Sequence, residues 1–164
     1  MFRLPKMLRS GPRGPGRPGP SPGRTVPRMS LELVPLCGID VTLAEPLRVG
    51  AGPSGQRTVA EITGMTFTGR LTGTLKGHAA ADWITMVGDV ATIDVRATIE
   101  THDGALVYVQ YSGRTDISGG MGSAPMYVAP RFETGHPDYA WLNAVQAVGK
   151  GSLADLHYDW YELR

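Results

Sequence analysis

The sequence predicts an all-β protein, a single antiparallel β-barrel of about eight to ten short strands with little helix. Three observations predict it. From Ala91 to Glu100 the chain alternates strictly, with Ala91, Ile93, Val95, Ala97 and Ile99 against Thr92, Asp94, Arg96, Thr98 and Glu100. Period two marks a strand with one apolar face. Gly88-Asp89 and Asp103-Gly104 flank that run, and such dipeptides join hairpin strands because they tolerate positive φ. The 22 Gly and 13 Pro imply many turns, and no segment carries a convincing helical period. Closure into a barrel is preferred to a two-sheet sandwich because it removes unpaired edges, and eight or more strands leave room for a small ligand.

Residues 1–28 hold seven Pro, five Gly, six Arg and one Lys, with no acid. So little of this leader is apolar that it is expected to be disordered. Three readings of it stay open: a start called upstream of a natural one at Met29, a solvated tail without a role, or a nucleic-acid or targeting tail. The barrel domain is expected to run from 29 to 164. Its first strand spans Ser30 to Leu43, bent around Pro35 and Gly38. A Gly/Pro-rich loop covers Ala44 to Gly55. Strands follow at Gln56–Thr63, Met65–Leu75 (interrupted at Gly69 and Gly73), Ala81–Val87, Ala91–Glu100, Ala105–Gly113 and Met126–Glu133. Pro130 suggests that the last of these is an edge or carries a bulge. His136 to Trp141 reads as a loop or short helical turn, and Asn143–Val148 with Asp155–Leu163 as a closing hairpin.

Composition narrows the function classes. The length of 164 residues suits one domain with a real core. Beyond residue 28 the chain holds nine basic and fifteen acidic side chains, so this acidic body is not expected to grip phosphate backbones. No apolar run is long enough to span a membrane as a helix, and no apolar signal-peptide core is present. The single cysteine, Cys37, excludes an intrachain disulfide and suits a reducing, cytoplasmic setting. It reads as a buried small hydrophobe.

Motif signals are weak. Gly50-Ala51-Gly52-Pro53-Ser54-Gly55 matches a dinucleotide fingerprint on paper, but Pro53 lies inside it and strand, not helix, follows. The four histidines, His78, His102, His136 and His157, lack metal-ligand spacing, so neither a metal nor a cofactor is expected. No nucleophile elbow is present.

What remains is a set of polar and aromatic strand residues. Arg131 and Glu133 lie two residues apart on one strand face, and Asp82-Trp83 opens another strand. If they enter the lumen, Glu133 or Asp82 is the candidate proton carrier and Arg131 the group that stabilises a developing enolate or phenolate. Tyr108, Tyr158, Asp94 and Asn143 are candidates to orient polar groups, with Trp83 as an apolar wall. The alternatives are a structural ion pair or a solvated face for Arg131 and Glu133, and core packing for the aromatic residues.

The chain also resembles a known family. Gln56 to Trp83 (with Ile62-Thr63-Gly64-Met65-Thr66-Phe67-Thr68-Gly69), Thr101-His102-Asp103-Gly104-Ala105-Leu106-Val107-Tyr108-Val109, Arg131-Phe132-Glu133-Thr134-Gly135, Tyr139-Ala140-Trp141-Leu142-Asn143 and the ending Tyr158-Asp159-Trp160-Tyr161-Glu162 are similar, in order and spacing, to the domain of unknown function 3237 family, also called uncharacterised protein family 0311. The resemblance runs from about Leu31 to Leu163 and does not cover residues 1–28. His102 departs from it, standing where the family often has an acidic residue. The resemblance implies a single-domain, calycin-like barrel found in bacteria and fungi, and leaves the chemistry open. The leading expectation is a barrel that binds a small hydrophobic molecule, as an enzyme doing cofactor-free acid–base chemistry (isomerisation, cyclisation or lyase-type elimination) on an aromatic or polyketide-like compound. The alternatives are a non-catalytic carrier and a structural barrel without a pocket. Nucleic acid and membrane are not expected partners, and a homodimer is left open.

Overall fold

A computed structural model describes residues 29–164; the expectations for residues 1–28 lie outside the described residues. Ten strands and one 3-10 helix follow in order: β1 (Leu33–Leu43), β2 (Leu47–Gly52), β3 (Gly55–Gly69), β4 (Gly73–Leu75), β5 (Ala81–Val87), β6 (Val90–Thr101), β7 (Leu106–Asp116), β8 (Met126–Glu133), the 3-10 helix Pro137–Ala144, β9 (Ala147–Ser152) and β10 (His157–Leu163). All pairings are antiparallel. The path β1-β10-β9-β8-β7-β6 continues through β4 and β5, which share one position beside β3, and β3 returns to β1. The sheet therefore closes as an eight-position barrel, as the strand count and turn density led one to expect.

Four local expectations are corrected. Residues 44–55 are not simply a loop: Leu47–Gly52 is a strand paired with β3, and Gly50 (φ +95) and Gly55 (φ +110) serve a bulge and a turn of that hairpin. Gly64 does not divide β3, which runs for 15 residues, pairing β2 and β5 with its first half and β1 and β4 with its second. Asn143 and Ala144 close the 3-10 helix instead of opening the last hairpin. Its start has a local cause: the His136 side chain accepts from the Asp138 N–H, Pro137 supplies a preset φ at the first position, and Asp138 sits in the first turn. The turn at Asp103-Gly104 holds three residues, not two, since Thr101 N–H donates to Ala105 C=O and Gly104 N–H to Thr101 C=O. Only Gly104, at φ +87, needs the left-handed region. Gly104→Val is expected to cost roughly 1–3 kcal/mol through strain alone, because open space surrounds a Cβ there. An unchanged urea midpoint would contradict this.

Alternation along each strand divides interior from exterior. On β6 the odd residues Ala91 to Ile99 are buried, and on β8 the buried set is Met126, Val128, Pro130 and Phe132. Trp160 sits at the centre of the core, edge-on to Phe67 at 5.7 Å and to Tyr111 at 5.1 Å, and 5.9 Å from Phe132. Its ring and that of Tyr158 fit because the inward positions of β9 are Ala147, Gly149 and Gly151. A Cβ on Gly149 would lie 2.8 Å from Trp160 Nε1, and one on Gly151 2.5 Å from Tyr158 Cγ. The glycines let β10 aromatics lie against the β9 backbone. Cys37 is buried and its thiol is pushed up to about 12 by that burial. A thiol reagent is therefore expected to leave the folded protein unmodified at pH 8 and to react on denaturation; rapid labelling of the native state would contradict the packing.

Candidate functional site

On β5 Asp82 is buried and Ile84 packs against the core, whereas Trp83 is exposed. Asp82 lies opposite Ala60 on β3 and Val95 on β6, and is only 7% exposed. Between the Asp82↔Val95 and Thr85↔Thr92 pairs the β5–β6 ladder skips Trp83 and Ile84, with the register unchanged on both sides. Oδ1 of Asp82 has no hydrogen-bond partner among the described residues. Burial, with a smaller push from the Asp94 carboxylate and a partial offset from the Asp94 backbone N–H, raises its carboxyl to about 7.

Two tyrosines share this interior. Tyr111 of β7 and Tyr158 of β10 stand with ring centroids 6.4 Å apart and are nearly fully buried. Burial, with the Asp82 charge adding to it, pushes Tyr158 up to about 12 and Tyr111 well above its ordinary range. Both hydroxyls thus remain protonated donors at any physiological pH. Trp160 Nε1 is a further buried donor without a partner among the described residues. One carboxyl raised to about 7 thus shares the barrel interior with several neutral donors. That constellation can take up a proton and stabilise the anion left behind.

The other candidates from the sequence lie elsewhere. Arg131 and Glu133 share a face, as expected, but it is the outer one, because Pro130 and Phe132 between and beside them are buried. Tyr108 joins them across the β7–β8 register, opposite Glu133. These residues border an outer groove of about 390 Å³, together with Gln110, Asn143 and Gln146, where β8 and β9 part beyond the Val128↔Gly149 pair. Pro130 sits just past that pair, so its missing N–H breaks no β8–β9 rung. The Asn143 amide is committed to structure: its oxygen accepts from the Thr134 N–H at 2.9 Å and its nitrogen donates to the Thr134 C=O at 3.0 Å. Trp83 and Asp94 form a third, outer location, where the Arg96 guanidinium stands 5.8 Å from the Trp83 ring and 3.6 Å from Asp94 Oδ2. Only Asp82 and Tyr158 of the candidate set meet inside the barrel.

Tyr111 and Trp160 were absent from that set. The signal for both was their phase: Tyr111 continues the odd positions of Val107 and Val109, and Trp160 the even positions of Leu156 and Tyr158. The same reasoning shows that Arg131 and Glu133 are out of phase with Met126, Val128 and Phe132. Among the described residues no cluster of three His, Cys, Asp or Glu side chains could hold a metal ion. The paper match at Gly50–Gly55 falls on the β2–β3 hairpin, where no helix follows to receive a pyrophosphate.

Comparison with known proteins places the fold. A UPF0311 protein of Bradyrhizobium diazoefficiens is 28% identical over 116 residues, covering 63% of this chain and 76% of that protein. A β-barrel-like protein of Acinetobacter baumannii superimposes with a TM-score of 0.74 at 32% identity, over 86% of this chain and 100% of the other. A conserved protein of unknown function from Rhodopseudomonas palustris gives 0.73 at 25% identity, over 84% and 100%. An enzyme from Penicillium herquei shares the fold, with a TM-score of 0.67 at 23% identity over 87% and 99%. The family model described as protein of unknown function (DUF3237) matches residues 31–163, the whole of the barrel, and the chain belongs to that family.

Proposed function

We propose that the barrel binds a small hydrophobic molecule and moves a proton on it without a cofactor, with Asp82 as the acid–base group. The observation that carries this reading is the Asp82 carboxyl, buried, incompletely hydrogen-bonded and raised to about 7. A carboxyl in that range is present in both protonation states at neutral pH, which is what a general acid–base group requires. Tyr111 and Tyr158 would donate to an enolate or phenolate oxygen as charge develops, and their resistance to ionisation suits them to that task. Trp160, Phe67 and Phe132, packed on one another in the same core, keep the surroundings of that carboxyl apolar, which suits an aromatic or polyketide-like skeleton. That a barrel of this fold is described as an enzyme also supports a catalytic reading. Base-initiated isomerisation, cyclisation and elimination share such a proton transfer as their first step.

The test is solvent exchange. Aromatic ketones and 1,3-dicarbonyl compounds incubated with the protein in D2O are expected to gain deuterium at the acidic carbon, with a rate that follows one ionisation near pH 7. Asp82→Asn should abolish the catalysed exchange. Exchange that persists in Asp82→Asn would sink the assignment.

The outer groove supports a second reading, a carrier whose ligand contacts Arg131, Glu133 and Tyr108. Its volume of about 390 Å³ lies in the range of small-molecule sites. On that reading Glu133→Gln weakens binding at least tenfold, about 1.4 kcal/mol, with an unchanged melting temperature. A ligand lost by Asp82→Asn and kept by Glu133→Gln excludes this groove.

A further inference from the structure

The outer face of β7, β8 and β9 carries a row that the proton-transfer site does not use. Cross-strand register sets Arg114 opposite Tyr127 and Tyr127 opposite Lys150, so an aromatic ring stands between two cations. Tyr127 is 57% exposed, far more than its interior counterparts. The next rung is low, since Ser112 faces Ala129. Val148 and Tyr161, paired on β9 and β10, raise the opposite wall. The result is a mainly apolar groove of about 710 Å³, larger than the one beside Arg131 and Glu133.

Its charge is unusual for this molecule. The barrel carries more acid than base, yet no carboxylate lines the groove, and neither Arg114 nor Lys150 is in an ion pair among the described residues. Two cations outside any ion pair, although Asp159 stands opposite Lys150 on β10, lower the cost of bringing an anion to this apolar and aromatic surface. Two cations are too few to hold a nucleic-acid backbone against salt. An apolar body with one acidic group fits both halves of the groove: the body against Ala129, Val148 and the tyrosine rings, the anionic end toward Arg114 and Lys150.

We propose that this groove binds a small hydrophobic anion, an aromatic or aliphatic carboxylate, on the outside of the barrel and separately from Asp82. The test uses 2-naphthoate and its neutral counterpart 2-naphthalenemethanol, titrated into the full chain and followed by calorimetry and amide chemical shifts. Naphthoate is expected to bind at least tenfold more tightly than the alcohol, more weakly at high salt, with shifts centred on Ser112–Arg114, Tyr127–Ala129 and Val148–Lys150. The double variant Arg114→Gln/Lys150→Gln should lose that tenfold preference at an unchanged melting temperature. Ala129→Glu, which puts a carboxylate on the floor, should abolish naphthoate binding as well. Asp82→Asn should bind naphthoate like the parent, so failure here and failure of the proton-transfer reading are separable. Equal affinity for acid and alcohol, shifts centred elsewhere, or a stable dimer that covers Tyr127 would overturn the proposal.

Discussion

Asp82→Asn is expected to raise the melting temperature at pH 8 while removing proton transfer. In the folded protein the carboxyl titrates at about 7, against an ordinary value of 3.8. Between those two values the folded chain holds a proton that the unfolded chain has released. Unfolding then releases a proton, so stability declines as pH rises from about 4 to about 7 and levels off above. A displacement of that size is worth at most about 4 kcal/mol. The Asn amide is also buried without a full set of partners, which returns part of the gain. A net stabilisation of roughly 1–3 kcal/mol at pH 8 is expected, several degrees in melting temperature, shrinking to nothing or reversing at pH 4. Melting curves at the two pH values decide the matter. The same difference at both would show that Asp82 does not carry the strain. Such a gain in stability coupled to lost activity is the usual signature of a functional group held in an unfavourable place.

Gly149→Ala is expected to be strongly destabilising. The added Cβ would lie 2.8 Å from both Trp160 Nε1 and Val128 Cγ2. Trp160 is 1% exposed and wedged against Phe67, Tyr111 and Phe132, so its ring has nowhere to go. Overpacking of this kind costs about 3 kcal/mol, and Gly151→Ala against Tyr158 should cost a similar amount. Gly135→Ala is the control: open space surrounds its Cβ, and its urea midpoint should match the parent's. Equal midpoints for Gly149→Ala and the control would mean that the β10 aromatics do not rest on the β9 backbone.

These two cases show what a sequence of this kind exposes and what it hides. The β6 alternation is local, and the strand forms where the pattern places it. The β2 hairpin was hidden because its Gly and Pro residues look the same in a loop as in a bulged turn. For Arg131 and Glu133 the shared face was legible, and the side it belongs to was written in the phase of Met126, Val128 and Phe132. Asp82 is in phase with Ile84 and Met86, but Trp83 and Val87 make the opposite phase equally apolar, so the spacing left its side open. The partnership of Gly149 with Trp160, by contrast, belongs to the β9–β10 register, and Asp82 meets Tyr111 and Tyr158 only because the sheet closes. Closure is a long-range property, and the site that depends on it could be listed in part from the residues but not assembled.

Proton transfer as proposed depends on one carboxyl, buried in the barrel interior and raised to about 7. Its most direct test is the ¹³C chemical shift of the Asp82 side-chain carboxyl, followed by NMR in the folded protein from pH 3 to pH 9 and assigned by its absence in Asp82→Asn. A midpoint near 7 is the predicted result. A midpoint near 4, the value of a solvated aspartate, would contradict both the buried placement of Asp82 and its role as the proton carrier.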